Sequence, residues 1–88
     1  MHNLQKYKNG LVNKFFIYNT DLFNRDVFSI KSIITDLRLY DTKYYAIEYY
    51  DIERNEKSFV CIYEDQIETL LNTNKLILPS KTISFEIF

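Results

Sequence analysis

The chain has 88 residues, 47% of them hydrophobic and 26% charged, with a net charge of -1. Length and composition fit one small globular domain and exclude a disordered tail. Near-neutral charge argues against a mainly electrostatic nucleic-acid binder, which is basic overall, and against a strongly acidic DNA mimic.

Residues 1–10 form a polar start without the apolar stretch of a signal peptide, so a flexible N-terminal segment is expected there. The domain proper is expected over residues 11–88. Leu11 to Tyr18 is the first strand candidate, introduced by Asn9-Gly10. Asn19-Thr20-Asp21 reads as turn chemistry. Val27 to Thr35 is the second strand, with a break of pattern at Ser32-Ile33 that permits a bulge. Asp36 to Thr42 reads as a connection.

Lys43 to Asp51 is the third strand. Tyr45, Ile47 and Tyr49 point one way, and Tyr44, Ala46, Glu48 and Tyr50 the other. Glu53-Arg54-Asn55-Glu56 is a charged hairpin tip, with Asn55 placed for a left-handed conformation. Lys57 to Tyr63 is the fourth strand. Both of its parities are largely apolar, which suggests a central strand covered on both faces. Glu64 to Asn72 is the helix candidate, with Ile67, Leu70 and Leu71 on one face and acids in the first turn. Pro79 separates Leu76-Ile77-Leu78 from Lys81 to Phe88, giving either two short strands or one kinked edge strand. Ile83, Phe85 and Ile87 alternate inward.

The single glycine, Gly10, leaves tight turns to Asn and Asp. It also excludes a glycine-rich phosphate loop. One cysteine, Cys61, cannot form an internal disulfide, and with no base beside it in sequence it reads as an inert core thiol. One histidine, His2, and one cysteine cannot supply a zinc site. Neither a metal nor a cofactor is expected. The longest strictly apolar run, Phe59 to Tyr63, is far short of a membrane span, and the cytoplasm is the expected compartment. The carboxylates Glu48, Asp51, Glu64, Asp65 and Glu68 read as solvated surface rather than as acid–base or metal groups.

The order of five strands with one short helix before the last resembles SH3-like and Tudor-like small barrels. Val27-Phe28-Ser29-Ile30-Lys31-Ser32-Ile33, Tyr44 to Asp51, and Phe59 to Ile67 carry the resemblance. It implies a mainly β fold, a five-stranded SH3-like small barrel. In Tudor-like barrels, aromatics such as Tyr40, Tyr44, Tyr50 and Tyr63 with a nearby acid cage a methylated cation. Asn, Lys, Ile, Phe and Tyr make up 42 residues, whereas Ala, Gly, Pro and Arg make up 6. That bias follows AT-rich codons. Together with the size, it loosely resembles small phage and mobile-element proteins of low-GC bacteria.

Residues 1–43 carry +3, residues 44–74 carry -5 and residues 75–88 carry +1. The acidic segment suits a surface that steers a basic protein partner. The expected function is therefore a non-enzymatic protein–protein interaction module, binding and inhibiting a host nucleic-acid-handling or defence protein. The expected binding residues are Tyr44, Glu48, Tyr50, Asp51, Glu53 and Glu56. The alternative is a nucleic-acid-binding barrel using Lys6, Lys8, Lys14, Arg25, Lys31 and Arg38. No membrane contact is expected. A monomer is favoured over a homodimer, with the terminal strand closing the barrel.

Overall fold

A computed structural model describes residues 3–19, 30–81 and 83–88. The elements are α1 (Leu4–Leu11), β1 (Phe15–Asn19), β2 (Ile30–Asp41), β3 (Tyr44–Asp51), β4 (Glu56–Tyr63), α2 (Glu64–Thr73), β5 (Lys75–Leu78), a single 3-10 turn (Pro79–Lys81) and β6 (Ile83–Ile87). All strand pairings are antiparallel. Among the described residues, six strands form one sheet in the order β4-β3-β2-β1-β6-β5.

The fold is mainly β, but the sheet is open and six-stranded where the sequence suggested a closed five-stranded barrel. Hydrophobic alternation specifies which face of a strand is buried, not which strands pair. Here β6 inserts between β1 and β5, so the chain's last strand lies inside the sheet and β4 and β5 form its edges. β4 is therefore not central. The apolar parity of Phe59, Cys61 and Tyr63 faces away from the helices, and Phe59 and Tyr63 are exposed.

Both helices pack on one face. The core joins Tyr7 and Leu11 of α1 and Ile67 and Leu70 of α2 to Phe16, Ile34, Leu37, Tyr45, Ile47, Tyr49, Ile62, Leu76, Phe85 and Ile87 of the sheet. Residues 4–10, within the segment 1–10 expected to be flexible, and Leu11, expected to open the first strand, are helical, and Tyr7 and Leu11 are fully buried. Leu4, Tyr7 and Leu11 recur at helical spacing. Gly10 belongs to this helix rather than to a turn, and a side chain there would meet Leu71 of α2.

β2 extends through Asp36–Asp41, which the sequence reading took for a connection. Its register against β3 shifts between Ile34 and Asp36 and again between Leu39 and Asp41. Each extra residue inverts the alternation and hides the strand from a period-two reading. Val27, Phe28 and Ser29 lie outside the described residues. The turns follow the glycine shortage: Asn13, Asn55 and Asn74 all adopt positive φ. Asn tolerates that region better than most residues. Asn74 ends α2, and its N–H donates to the Leu70 carbonyl at 2.7 Å. At the other end of α2, the Gln66 side chain accepts from the Tyr63 N–H at 2.8 Å. No helix among the described residues is long and apolar enough to cross a membrane.

Candidate functional site

Residues opposite one another in an antiparallel ladder share a face, so the register sorts side chains between the helix side and the opposite side, which no element covers among the described residues and which is the uncovered side below. Phe15 and Ile17 of β1, Ile33 of β2, Tyr44 and Tyr50 of β3, Phe59 and Tyr63 of β4, and Ile77 of β5 fall on the uncovered side. Phe15, Phe59, Tyr63 and Phe88 each leave more than half of their surface in solvent. A cleft of about 320 Å³ opens between β1 and the β3–β4 turn. Phe15, Ile17, Ile52 and Phe88 line it, with Lys31 and Glu53 also contributing. The Phe88 N–H donates to the Phe15 carbonyl at 3.0 Å and fixes Phe88 beside β1.

The six expected binding residues do not form one surface. Tyr44, Glu48 and Tyr50 are half-buried on the uncovered side. Asp51 has the opposite parity, is 4% exposed, and works inside the turn. Its Oδ1 accepts from the N–H groups of Glu53 (3.0 Å) and Arg54 (3.1 Å), and Arg54 Nε lies 3.9 Å from Oδ2. Such local capping is what a short carboxylate does best, so Asp51 shapes the hairpin. Glu56 lies opposite Asp51, on the helix side of the ladder, and Glu53 is exposed in the turn.

The acidic segment is also largely engaged. Glu48 sits 3.3 Å from Arg38. Glu64 and Glu68 converge on the Tyr7 hydroxyl at 2.9 and 2.5 Å, which ties α2 to α1. Among the described residues Glu53, Glu56, Glu64 and Asp65 have no ion pair, but Glu64 accepts from Asn3 and Tyr7 and Asp65 accepts from the Gln66 N–H, which leaves Glu53 and Glu56, with Arg54 and Lys57 interleaved in sequence.

Tyr44 and Tyr63 touch, with ring centroids 5.1 Å apart and a 55° tilt. A hydrogen bond with the Cys61 thiol, then desolvation and the nearby Tyr63 and Tyr40 phenols, hold the Tyr44 hydroxyl above its ordinary range. The two rings contact each other instead of parting around a cation. Tyr50 lies about 20 Å along the strand from Tyr44, at ~3.3 Å per residue. The four tyrosines therefore do not close a cage.

The cations of the nucleic-acid reading are divided. Lys6 and Lys8 project from α1, beside Glu68 (3.8 Å) and Asp36 (3.4 Å). Lys31 is on the uncovered face, Arg38 is paired with Asp36 and Glu48, and Arg25 lies outside the described residues. Among the described residues, no three of His, Cys, Asp and Glu gather to hold a metal ion.

The apolar cleft escaped the sequence reading. Its signal was the adjacent pair Phe15-Phe16, which on a strand must send one ring to each face. Compared with protein-family models, curated proteins and solved structures, the chain matches none of them.

Proposed function

We propose that this chain is a non-enzymatic interaction module that binds another protein through the uncovered face of its sheet. One observation carries the reading. Phe15, Phe59, Tyr63 and Phe88 stand exposed on a face that neither helix covers. Large apolar groups gathered on one face of a small domain favour a partner that removes them from water, at roughly 25 cal/mol per Å² buried. The cleft between Phe15, Ile52 and Phe88 accepts an apolar anchor from that partner, and Lys31 and Glu53 supply polar contacts beside it. AT-rich composition and small size support a mobile-element protein acting on a host protein.

Affinity capture from the native cell with the full-length chain tests this. Phe15→Asp and Phe88→Asp should abolish capture of the partner while leaving the circular dichroism spectrum unchanged, because both side chains are exposed. Charge reversal at Glu53 and Glu56 should weaken capture only modestly. If capture survives both Phe variants and is lost on charge reversal, the acidic hairpin is the binding element and the apolar face is not.

A further inference from the structure

The two edges of the sheet are defended unequally. β5 has four residues, begins at Lys75 and is followed at once by Pro79. β4 has eight residues, and its register against β3 runs unbroken from Glu56 to Tyr63. From Ser58 to Tyr63 it carries no charge, proline or bulge, the devices that keep natural edge strands from pairing. Among the described residues, no strand lies beyond it.

The outward-facing backbone groups of β4 can be assigned residue by residue. The Glu64 N–H donates to the Lys43 carbonyl at 2.8 Å, one step beyond the Tyr44–Tyr63 pair. Hydrogen-bonded and non-hydrogen-bonded pairs alternate along an antiparallel ladder. Ile62, Val60 and Ser58 therefore turn their N–H and C=O groups toward β3. Lys57, Phe59, Cys61 and Tyr63 turn theirs to the outer edge.

We propose that β4 pairs antiparallel with β4 of a second copy of this chain, about a two-fold axis at Val60, joining two sheets into one. An axis perpendicular to the sheet keeps both helix layers on the same side, so facing residues must have the same parity. Among such registers, the one centred on Val60 engages all four outward-facing residues. Lys57 meets the partner's Tyr63, and Phe59 meets the partner's Cys61. A register centred on Phe59 would set Tyr63 against the Asn55 turn, and one centred on Cys61 would set Lys57 against Asp65 in α2. The side chains match as well: an ammonium beside a phenol ring, a thiol beside a phenyl ring, and valine on valine at the axis. Glu56 approaches the partner's Glu64, whose carboxylate is turned toward Tyr7 and Asn3. This inference concerns the edge and not the face, so it stands independently of the proposed function.

Sedimentation of the full-length chain across the micromolar range should show a species of twice the chain mass. Phe59→Pro removes an outward N–H and no bond to β3, a position an edge strand tolerates. It should give a folded monomer. Val60→Cys in a Cys61→Ser background should form an intermolecular disulfide on mild oxidation. Its two-fold, non-hydrogen-bonded pair brings the Cα atoms to about 4.5 Å, within disulfide range. Ser58→Cys in the same background should not cross-link. If Phe59→Pro fails to fold, the cross-linking comparison decides. A wild-type chain that stays monomeric with no Val60→Cys cross-link overturns the proposal, as does preferential cross-linking of wild-type Cys61. A monomer that still captures its protein partner sinks the dimer alone, whereas a dimer that captures nothing sinks the proposed function alone.

Discussion

At the scale of single residues, two buried polar groups have opposite energetic meanings. Tyr7 is fully buried, and its hydroxyl donates toward Glu68 and Glu64, joining α1 to α2. Burial first, then the hydrogen bonds to Glu68 and Glu64, raise its phenol far above the ordinary range. The folded chain thus keeps a proton that the unfolded chain loses above about pH 10. The associated stability is fully present below that pH and is lost as pH rises beyond it. Tyr7→Phe should cost about 1–2 kcal/mol at pH 7, roughly 4–8 °C of melting temperature per kcal/mol. Its deficit against wild type should shrink above pH 10, where wild type alone pays for ionising. A deficit constant to pH 11 in thermal melts would refute this account. Ser32 is the contrary case: its Oγ is buried without a hydrogen-bond partner among the described residues. Ser32→Ala removes an unsatisfied group and should leave stability equal or raise it by up to about 1 kcal/mol. A loss of that size in a denaturant titration would mean that the hydroxyl has a partner.

At the scale of elements, α1 depends on the close approach of Gly10 to α2. A Cβ at Gly10 would lie 2.7 Å from Leu71 Cδ2, the far end of a half-buried side chain with rotatable bonds. Gly10→Ala gains about 0.5–1 kcal/mol of helix propensity, and displacing Leu71 consumes much of it. The melting temperature should therefore hardly change. Gly10→Val adds branching and bulk against the same methyl, so it should destabilise by about 1–3 kcal/mol. A clearly stabilised Val variant would show that α1 does not rest on α2 there. This helix was hard to read because a glycine after asparagine signals a turn locally, while the contact with Leu71 lies far along the chain. β3, α2 and β6 were legible because their alternation or helical spacing is uninterrupted. Tyr45, Ile47 and Tyr49 face the core, and Ile67 and Leu70 do so from α2. The second half of β2 was not legible, because two bulges scramble its parity. Of the expected binding residues, Tyr44, Glu48 and Tyr50 share the strand face that their alternation implies, and that parity was legible. Asp51 and Glu56 pair on the other face, since one step along a strand reverses it.

At the scale of the whole molecule, the order of strands decides which part of the chain can be spared. β6 pairs with β1 on one side and β5 on the other, although it is the last strand in sequence. Its Phe85 lies 5.8 Å from the Phe16 ring, nearly stacked, and 5.1 Å from the Tyr18 ring. Phe85 and Ile87 are both buried. Deleting residues 83–88 removes these side chains and two ladders at once, leaving β5 without a strand neighbour. Each large apolar side chain contributes roughly 1.5–3 kcal/mol on burial, and a domain of this size has about 5–15 kcal/mol in total. The truncated chain should therefore show no cooperative thermal transition. Phe85→Ala alone should keep one, lowered by about 3–5 kcal/mol. If the truncated chain melts cooperatively as a monomer, β6 is an accessory strand, and the core formed by α1, β1, β2 and β3 is sufficient without it.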